Sequence, residues 1–147
     1  MIITKAVKED IPQLCELLAI LFSQESEFKP DAEKQRKGLE MIFDKPENGF
    51  VMKAEQDGKI LGMVNILYMV STFMGEKVCM LEDMVVRPEM RGQDIGTLLV
   101  KKAQQTAREE GCRRITLLTD YDNYKAQNFY ENNGFSMSSM VCMRKLI

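Results

Sequence analysis

Residues 87–100, RPEMRGQDIGTLLV, have the composition of an anion-binding loop that leads into a helix. Backbone N–H groups at a helix start, together with the positive end of the helix dipole, attract phosphate. Gly92 and Gly96 would let the backbone approach a ligand without an intervening side chain. Asp94 adds a carboxylate to the same loop. A plain helix start that is capped by the Asp94 side chain is therefore an open alternative.

The chain contains no histidine. Histidine is the commonest general base and the commonest metal ligand, so its absence excludes Ser-His-Asp and Cys-His catalysis and most zinc sites. We therefore expect no metal cofactor. Cysteines occur singly, without the paired spacing of a metal site or a disulfide framework, which predicts buried, reduced thiols in a cytosolic protein.

Length and charge limit the remaining classes of protein. The 147 residues suit a single domain, residues 1–147, with one substantial core. A formal net charge of −2 argues against a nucleic-acid partner. No apolar run is long enough to span a bilayer and the N-terminus lacks a signal-peptide pattern, so we expect no membrane association and a cytoplasmic location.

The elements that must position the loop follow from hydrophobic periodicity and turn signals. Asp57 and Gly58 predict a hairpin turn, and Gly62 within a strand predicts a bulge or a close backbone approach. Helices are expected at 10–22, 31–44, 95–110 and 123–133, and strands at 2–7, 50–56, 60–70, 78–86, 113–119 and 135–147. This order predicts an α+β fold with one mostly antiparallel sheet.

Two further segments accompany the loop at specific distances: LEDMVV before it and NYKAQNFYENNGF after it. With this order and spacing, the sequence resembles the GCN5-related N-acetyltransferase (GNAT) superfamily, most specifically over residues 81–135. The resemblance implies the GNAT fold, a twisted and mostly antiparallel sheet with a splayed central parallel pair and about four flanking helices. The LED…RGxxIG…NFY pattern is similar to the polyamine (spermidine/spermine) acetyltransferase branch. Glucosamine-phosphate acetyltransferases carry a similar Glu-Asp pair, so the pattern does not determine the substrate.

The resemblance implies that acetyl-CoA is the acyl donor. Its pyrophosphate would lie on the loop, and its pantetheine arm would pair with the backbone of the strand that ends in MVV. The residues implied are Met84, Val85, Val86, Arg91, Gly92, Gln93, Asp94, Ile95, Gly96, Thr97, Asn123, Ala126 and Tyr130.

Asp94 stands where the family pattern has its first glycine. Because a backbone amide would hold the phosphate, and because Asp tolerates a positive φ better than most residues, we expect the site to survive. The carboxylate would turn to solvent or cap the helix. Arg91 and Arg87 would offset part of its repulsion.

Acetyl transfer to an amine requires a neutral amine, although a lysine-like amine has a pKa of about 10.4. Without histidine, carboxylates are the leading bases, directly or through water. The resemblance places Glu82 at the acceptor amine as base or water relay, with Asp83 in support. Because strand neighbours point to opposite faces, only one of the two should face the acceptor. A charged pair at a sheet edge is the alternative.

Tyr130 corresponds to the family tyrosine that donates a proton to the departing CoA thiolate. A phenol with a pKa of about 10 is an adequate acid for a thiolate whose conjugate acid has a pKa near 8.5. The alternative is a core aromatic residue beside Phe129. A strand amide near Met84 or Val85 would stabilise the oxyanion. No cysteine occupies a motif position, so we expect direct transfer in a ternary complex.

The acceptor is expected to be a small-molecule amine, bound by Glu82, Asp83 and Asp120. Further acidic residues favour a cationic acceptor: Asp122, Glu25 and Glu27. A non-catalytic acyl-CoA-binding or sensing module is a second hypothesis, which Asp94 favours, and an unrelated α+β protein is a third. Many relatives form dimers, so a homodimer is compatible with the sequence but not required by it.

Overall fold

The structure is a computed structural model that describes residues 1–24 and 29–147. It confirms the α+β order of elements that the sequence predicts, as far as the last helix. In chain order these are β1 (Ile2–Lys5), α1 (Ile11–Gln24), α2 (Ala32–Asp44), β2 (Gly49–Gln56), β3 (Lys59–Ser71), β4 (Glu76–Val86), α3 (Ile95–Glu109), β5 (Ile115–Leu117) and α4 (Tyr124–Asn132).

The strands form a single five-stranded sheet in the order β1-β2-β3-β4-β5. The first four strands are antiparallel, and β5 is parallel to β4. Asp57 and Gly58 connect β2 to β3 with φ angles of 52° and 77°, as a type I′ hairpin turn requires. The predicted α+β class is confirmed, but the parallel pair, which was expected in the centre of the sheet, lies at one edge among the described residues, because no later segment forms a strand beside β5.

Helices cover both faces of this sheet and give it two apolar cores. On one face, α1 and α2 pack over β2 and β3, and Val85 of β4 belongs to this core. On the other face lies α3, and the neighbouring side chains Met84 and Val86 pack against that second core. Consecutive residues of β4 therefore face different helices, as the two-residue period of a strand requires.

Gly62 allows β3, β4 and α3 to approach closely. A Cβ atom at this position would lie 2.9 Å from the carbonyl oxygen of Val85 and 3.0 Å from Cδ1 of Leu99. Both distances are shorter than normal van der Waals contact, so only glycine fits without displacement. The β2–β3 register also shifts between Ala54 and Glu55. The prediction of a bulge or a close approach at Gly62 is thereby confirmed.

The strand expected at 135–147 is wrong. Phe135 packs against the core, but residues 136–147 are exposed and form no strand. Cys142 is therefore exposed, contrary to the expectation of buried thiols, whereas Cys79 and Cys112 are buried. Among the described residues β5 pairs with β4 alone, so this alternating segment has no backbone ladder to stabilise it as a strand. Within residues 1–24 and 29–147, no helix has the length and apolarity needed to cross a membrane.

We predict that Gly62→Ala destabilises the protein by about 1–3 kcal/mol, because the added methyl group overpacks the junction of β3, β4 and α3. The matched control is Gly38→Ala, since a Cβ at Gly38 of α2 meets nothing within 4 Å. The control should be neutral or up to about 1 kcal/mol more stable. Urea unfolding of both variants tests this, and equal stabilities would contradict the close approach.

Candidate active site

A cleft opens between the two parallel strands. The β4–β5 ladder ends at the pair Leu81 and Leu117, whereas β4 continues to Val86. Beyond Leu81 the strand remains paired with β3 on its other side. Its main-chain groups on the open side therefore have no strand partner among the described residues, and an extended ligand can pair with them.

The loop before α3 contains two residues with a positive φ. Gly92 has a φ of 77°, and Asp94 lies in the left-handed region with φ 60° and ψ 7°. The Asp94 side chain makes no capping hydrogen bond, so the alternative in which it caps the helix is wrong. The helix ladder begins with the Leu98 N–H donating to the Asp94 carbonyl at 3.0 Å. The amides that precede Leu98 in the first turn thus have no acceptor within the helix.

Gly96 joins this loop to the other walls of the cleft. A Cβ at Gly96 would lie 3.1 Å from Cε of Met84 and 3.3 Å from Cζ of Phe129. The first turn of α3 is therefore wedged between β4 and α4. The start of α3, β4 and α4 are distant in sequence, and they meet at this glycine.

Asn123 positions the start of α4. Its side-chain oxygen accepts a hydrogen bond from the Ala126 N–H at 3.1 Å, as an N-cap residue does. Gln127 donates to the carbonyl oxygens of Asp120 at 3.1 Å and Tyr121 at 3.0 Å, which ties the preceding loop to the helix. The observed role of Asn123 is therefore helix capping, and the positions of Asn123 and Ala126 beside the donor remain a prediction.

Tyr130 is held by aromatic neighbours at the end of α4. Its ring packs edge-on against Phe129 at 5.1 Å and Phe135 at 5.6 Å between centroids. The Phe135 N–H donates to the Tyr130 carbonyl at 3.1 Å, and Gly134 has a φ of 90°, which together form a Schellman-type helix end. The half-buried Tyr130 ring therefore has a defined position at the end of α4.

The two arginines near the loop have different partners. Arg91 is exposed, and its Nε donates to the Val86 carbonyl at 3.2 Å, so its guanidinium is anchored at the mouth of the cleft. Arg87 instead donates to the Ile60 carbonyl at 2.8 Å and to Glu16 at 2.7 Å. Arg87 thus joins β3 to α1, and of the two arginines expected to offset Asp94, Arg91 is the one anchored beside the loop.

A β-bulge in β4 corrects the prediction for the acidic pair. The β3–β4 register shifts so that Asn65 stands opposite both Glu82 and Asp83. The two carboxylates therefore line the same cavity, and the expectation that they point to opposite faces is wrong. A bulge inserts one extra residue and interrupts the alternation of faces.

Asn65 closes the bulge, and sequence reasoning missed this residue. It is 4% exposed, its Nδ2 donates to the Asp83 carboxylate at 2.7 Å, and its Oδ1 accepts from the Asp83 N–H at 2.7 Å. The available signal was a single amide within an otherwise apolar strand. A buried amide in such a strand needs specific hydrogen-bond partners.

The cavity that contains both carboxylates has a volume of about 560 Å³, a size suited to a small ligand. It lies between the α1–α2 pair and the β3–β4 strands. Glu82 and Asp83 occupy one wall, and the other residues that line the cavity are mostly apolar: Leu18, Phe22, Lys34, Gln35, Gly38, Leu39, Met41, Ile42, Asn48, Asn65, Leu67 and Tyr68.

Burial changes the pKa of the Asp83 carboxyl group in this cavity. Loss of hydration raises the pKa of Asp83 to about 6, the hydrogen bond from Asn65 opposes that rise, and the neighbouring Glu82 charge adds to it. The Asp83 carboxyl thus exchanges its proton close to neutral pH. Glu82 is exposed to the cavity solvent.

The structure does not bring the other predicted acidic residues to this wall. Asp120 and Asp122 are exposed in the loop before α4 and do not line the cavity. Glu25 and Glu27 lie outside the described residues. No cluster of three His, Cys, Asp or Glu side chains arranged to hold a metal ion occurs in the part of the chain that the structure describes.

The fold and this site agree with a known family of enzymes. The model of the Acetyltransferase (GNAT) family matches residues 11–135. The chain belongs to this family, and it is therefore an acyltransferase of the N-acetyltransferase type. Acetyl-CoA is the general acyl donor of the family.

Particular relatives give the range of similarity. YhfO, an uncharacterized N-acetyltransferase of Bacillus subtilis, is 28% identical over 120 residues, which are 80% of each chain. The thialysine N-epsilon-acetyltransferase of Mus musculus is 37% identical over 81 residues, 54% of this chain and 47% of that enzyme. This chain thus spans about half the length of the mouse enzyme. The crystal structure of a probable acetyltransferase superposes with a TM-score of 0.85 at 27% identity, covering 100% of this chain and 97% of the other.

We predict that Asp83→Asn stabilises the protein at pH 8 but not at pH 4. The folded pKa of about 6 lies above the ordinary value of 3.8, so the stability that the neutral carboxyl contributes is lost as pH rises through 6. Asparagine stays neutral, and its advantage grows to at most about 3 kcal/mol above pH 7.

Urea unfolding at pH 4 and pH 8 measures this difference. The control is Glu76→Gln, which removes an exposed carboxylate from the same strand and should change stability little at either pH. A gain for Asp83→Asn that is the same at both pH values would show that burial of its charge is not the cause.

Proposed function

We propose that the protein transfers the acetyl group of acetyl-CoA directly to the primary amine of a small acceptor, within a ternary complex. The observation that carries this proposal is the position of β4. One part of the strand borders the cleft beside the helix start of α3, while Glu82 and Asp83 of the same strand line a ligand-sized cavity. Donor and acceptor would therefore meet at β4.

The donor would be held mainly by backbone groups. The amides at the start of α3 and the left-handed Asp94 suit the pyrophosphate, with Arg91 at the mouth of the cleft. The open side of β4 from Met84 to Val86 suits the amides of the pantetheine arm. The remaining predicted loop residues, Gly92, Gln93, Ile95, Gly96 and Thr97, contribute conformation and main-chain donors, and Asn123 and Ala126 border the arm.

In this proposal Glu82 and Asp83, which line the cavity, deprotonate and bind the acceptor ammonium. Glu82 reaches the cavity solvent and would act as base, directly or through water. Asp83, fixed by Asn65 at 2.7 Å, would support the ammonium by its charge above a pH of about 6. The amide of Met84 or Val85 is the proposed donor to the oxyanion.

Tyr130 is the proposed acid that protonates the CoA thiolate. Its ring is fixed between Phe129 and Phe135 beside the cleft, so little reorganisation is needed when the thiolate forms. Direct transfer is supported by the state of the core thiols, because burial raises the pKa of Cys79 to about 12 and leaves it unreactive.

The cavity supports an acceptor with one cationic amine and an apolar body. Both lining carboxylates stand together, and most other lining side chains in the described part of the chain are apolar. A linear polyamine of the kind the sequence pattern suggested would place further charges along those apolar walls, at a cost in desolvation. The mouse relative is named for acetylation at the ε-nitrogen of thialysine, which is also a small molecule.

We predict that Tyr130→Phe lowers the rate of thiol release from acetyl-CoA by about 10²- to 10⁴-fold, because the thiolate loses its proton donor. The acceptor panel should contain simple alkylamines, arylalkylamines, spermidine, aminoglycosides and amino sugars. Binding of CoA, measured by calorimetry, should be retained. The control is Tyr124→Phe, which alters a 67% exposed tyrosine of the same helix and should keep full turnover.

The alternative function, a non-catalytic acyl-CoA-binding module, is favoured by the Asp94 carboxylate in the phosphate loop. Tight CoA binding with no thiol release for any amine would support that binder and overturn the enzymatic proposal. Turnover that is equal in wild type and Tyr130→Phe would remove the tyrosine from the mechanism but leave the transferase.

We predict that Asp94→Asn tightens CoA binding roughly two- to fivefold at low salt, because the carboxylate repels the pyrophosphate, and that the gain shrinks as salt rises. Asparagine retains the tolerance for a φ of 60°. The matched control is Asp57→Asn, since Asp57 is the other non-glycine residue with a positive φ, at 52°, among the described residues. Calorimetric titration tests this, and weaker binding by Asp94→Asn would show that the carboxylate contributes to the donor site.

A further inference from the structure

Asn65 is a polar residue in the middle of an otherwise apolar stretch of β3. Its neighbours in the strand, Val64 and Ile66, are fully buried, and Asn65 itself is 4% exposed. A neutral amide in such a place loses its hydration and needs hydrogen-bond partners within the protein. An apolar side chain of the same size would pack there without that requirement, so the amide indicates a role other than packing.

Both halves of the Asn65 amide bind the same residue. The Oδ1 atom accepts a hydrogen bond from the Asp83 N–H at 2.7 Å, and Nδ2 donates one to the Asp83 carboxylate at 2.7 Å. The first hydrogen bond satisfies a main-chain donor at the β-bulge, where the regular β3–β4 ladder is interrupted. The second contacts the side chain. Asn65 thus fixes the backbone and the carboxyl group of Asp83 together.

The direction of Glu82 depends on the same bulge. In a regular strand the side chains of Glu82 and Asp83 would point to opposite faces of the sheet. With the bulge, both line the cavity between the α1–α2 pair and the strands, and Glu82 is the exposed member of the pair. Loss of the hydrogen bond from the Asp83 N–H to Asn65 would therefore favour a return to strict alternation and would turn one carboxyl group out of the cavity.

We propose that Asn65 is the positioning residue of the acceptor site. One half of its amide holds the bulge that directs Glu82 and Asp83 into the cavity, and the other half stabilises the Asp83 carboxylate that receives the acceptor ammonium. The inference rests on the proposed role of these two carboxylates in acetyl transfer. It adds a residue that acts on the reaction through both of them.

The groups around Asp83 make this hydrogen bond important for its charge. Burial raises the pKa of Asp83 to about 6, the hydrogen bond from Asn65 opposes that rise, and the neighbouring Glu82 adds to it. Of the other elements that line the cavity, β3 contributes Tyr68, whose pKa is raised by burial, so this phenol stays neutral. Helix α2 contributes Lys34, which is exposed and screened by solvent, and the described part of α1 contributes only apolar side chains. Loss of the Asn65 amide should therefore raise the pKa of Asp83 further.

The test measures kcat/KM for a simple alkylamine between pH 5 and pH 9 in two isosteric variants. Asn65→Asp keeps an oxygen that accepts from the Asp83 N–H but loses the donor to the carboxylate, whereas Asn65→Leu loses both. In the wild type, kcat/KM should fall more steeply below pH 6, where Asp83 becomes neutral. The alkylamine, with a pKa of about 10.4, adds a constant slope over this range and no bend. Both variants should move the bend about one pH unit higher, which is a tenfold change in the ionisation constant.

The two variants should differ at pH 9, where the Asp83 carboxyl group is ionised. Asn65→Asp should keep kcat within about threefold of the wild type, because the bulge is retained. Asn65→Leu should lower kcat by roughly tenfold or more, because Glu82 is no longer directed to the acceptor. Urea unfolding shows whether each variant is folded, and if Asn65→Leu is not, the bend measured with Asn65→Asp decides alone.

The matched control is Ser71→Ala in the same strand. Ser71 is 8% exposed, its Oγ accepts a hydrogen bond from the Met74 N–H at 3.2 Å, and it does not line the cavity. The substitution removes a buried hydrogen bond between a side chain and the main chain, as the Asn65 variants do. It should therefore lower stability but leave the bend of kcat/KM where it is in the wild type.

Carbon-13 NMR of protein labelled at the aspartate carboxyl carbons follows the titration of Asp83 without an acceptor, and Asp83→Asn identifies its signal. A titration and a bend that rise together in the Asn65 variants, and stay in place in Ser71→Ala, support the proposal. An unchanged titration in Asn65→Asp overturns it. So does a titration that rises while the bend stays, since the acceptor would then not use this carboxyl group, although acetyl transfer would stand. Absence of thiol release with every amine in the wild type would instead refute acetyl transfer, and the role of Asn65 with it.

Discussion

The separation of β4 from β5 is the constraint on which the rest of the structure depends. Two parallel strands that part after Leu81 and Leu117 leave backbone groups of β4 without a strand partner among the described residues, and such groups need other hydrogen-bond partners. Every neighbouring element is arranged around that opening. The first turn of α3 closes one end, α4 supplies the facing wall, and Gly96 lets the two approach β4.

The β-bulge opposite Asn65 is the second feature that shapes this region. The end of the β4–β5 pairing frees backbone groups, whereas the bulge changes the direction of side chains. An uninterrupted β4 would place Glu82 and Asp83 on opposite faces, with one of them in the core beneath α3. The extra residue directs both side chains towards the cavity. The buried Asn65 amide accepts a hydrogen bond from the Asp83 N–H and donates one to the Asp83 carboxylate. Two carboxyl groups are thus held beside mostly apolar walls, just before the part of β4 that has no β5 partner.

The sequence predicted what depends on local chemistry and missed what depends on distant partners. The turn at Asp57 and Gly58, the four helices and the left-handed tolerance of Asp94 all follow from residue type and spacing, and the structure contains them. The bulge could not be predicted because a register shift depends on both strands and on the amide of Asn65. The prediction of a strand at 135–147 was wrong for a related reason. Periodicity shows that a segment can pair as a strand, but it does not show where its partner lies.

The two faces of the sheet carry separate tasks. The helices α3 and α4 lie on one face of the sheet, α1 and α2 enclose the cavity on the opposite face, and β2, β3 and β4 contribute side chains to both cores. Substitutions in α2 can therefore reshape that cavity without contacting the loop before α3 or Tyr130. Because of this division, substitutions can change the shape of the cavity while the residues around α3 and α4 stay the same. A change in β4, by contrast, alters the packing on both faces of the sheet at once.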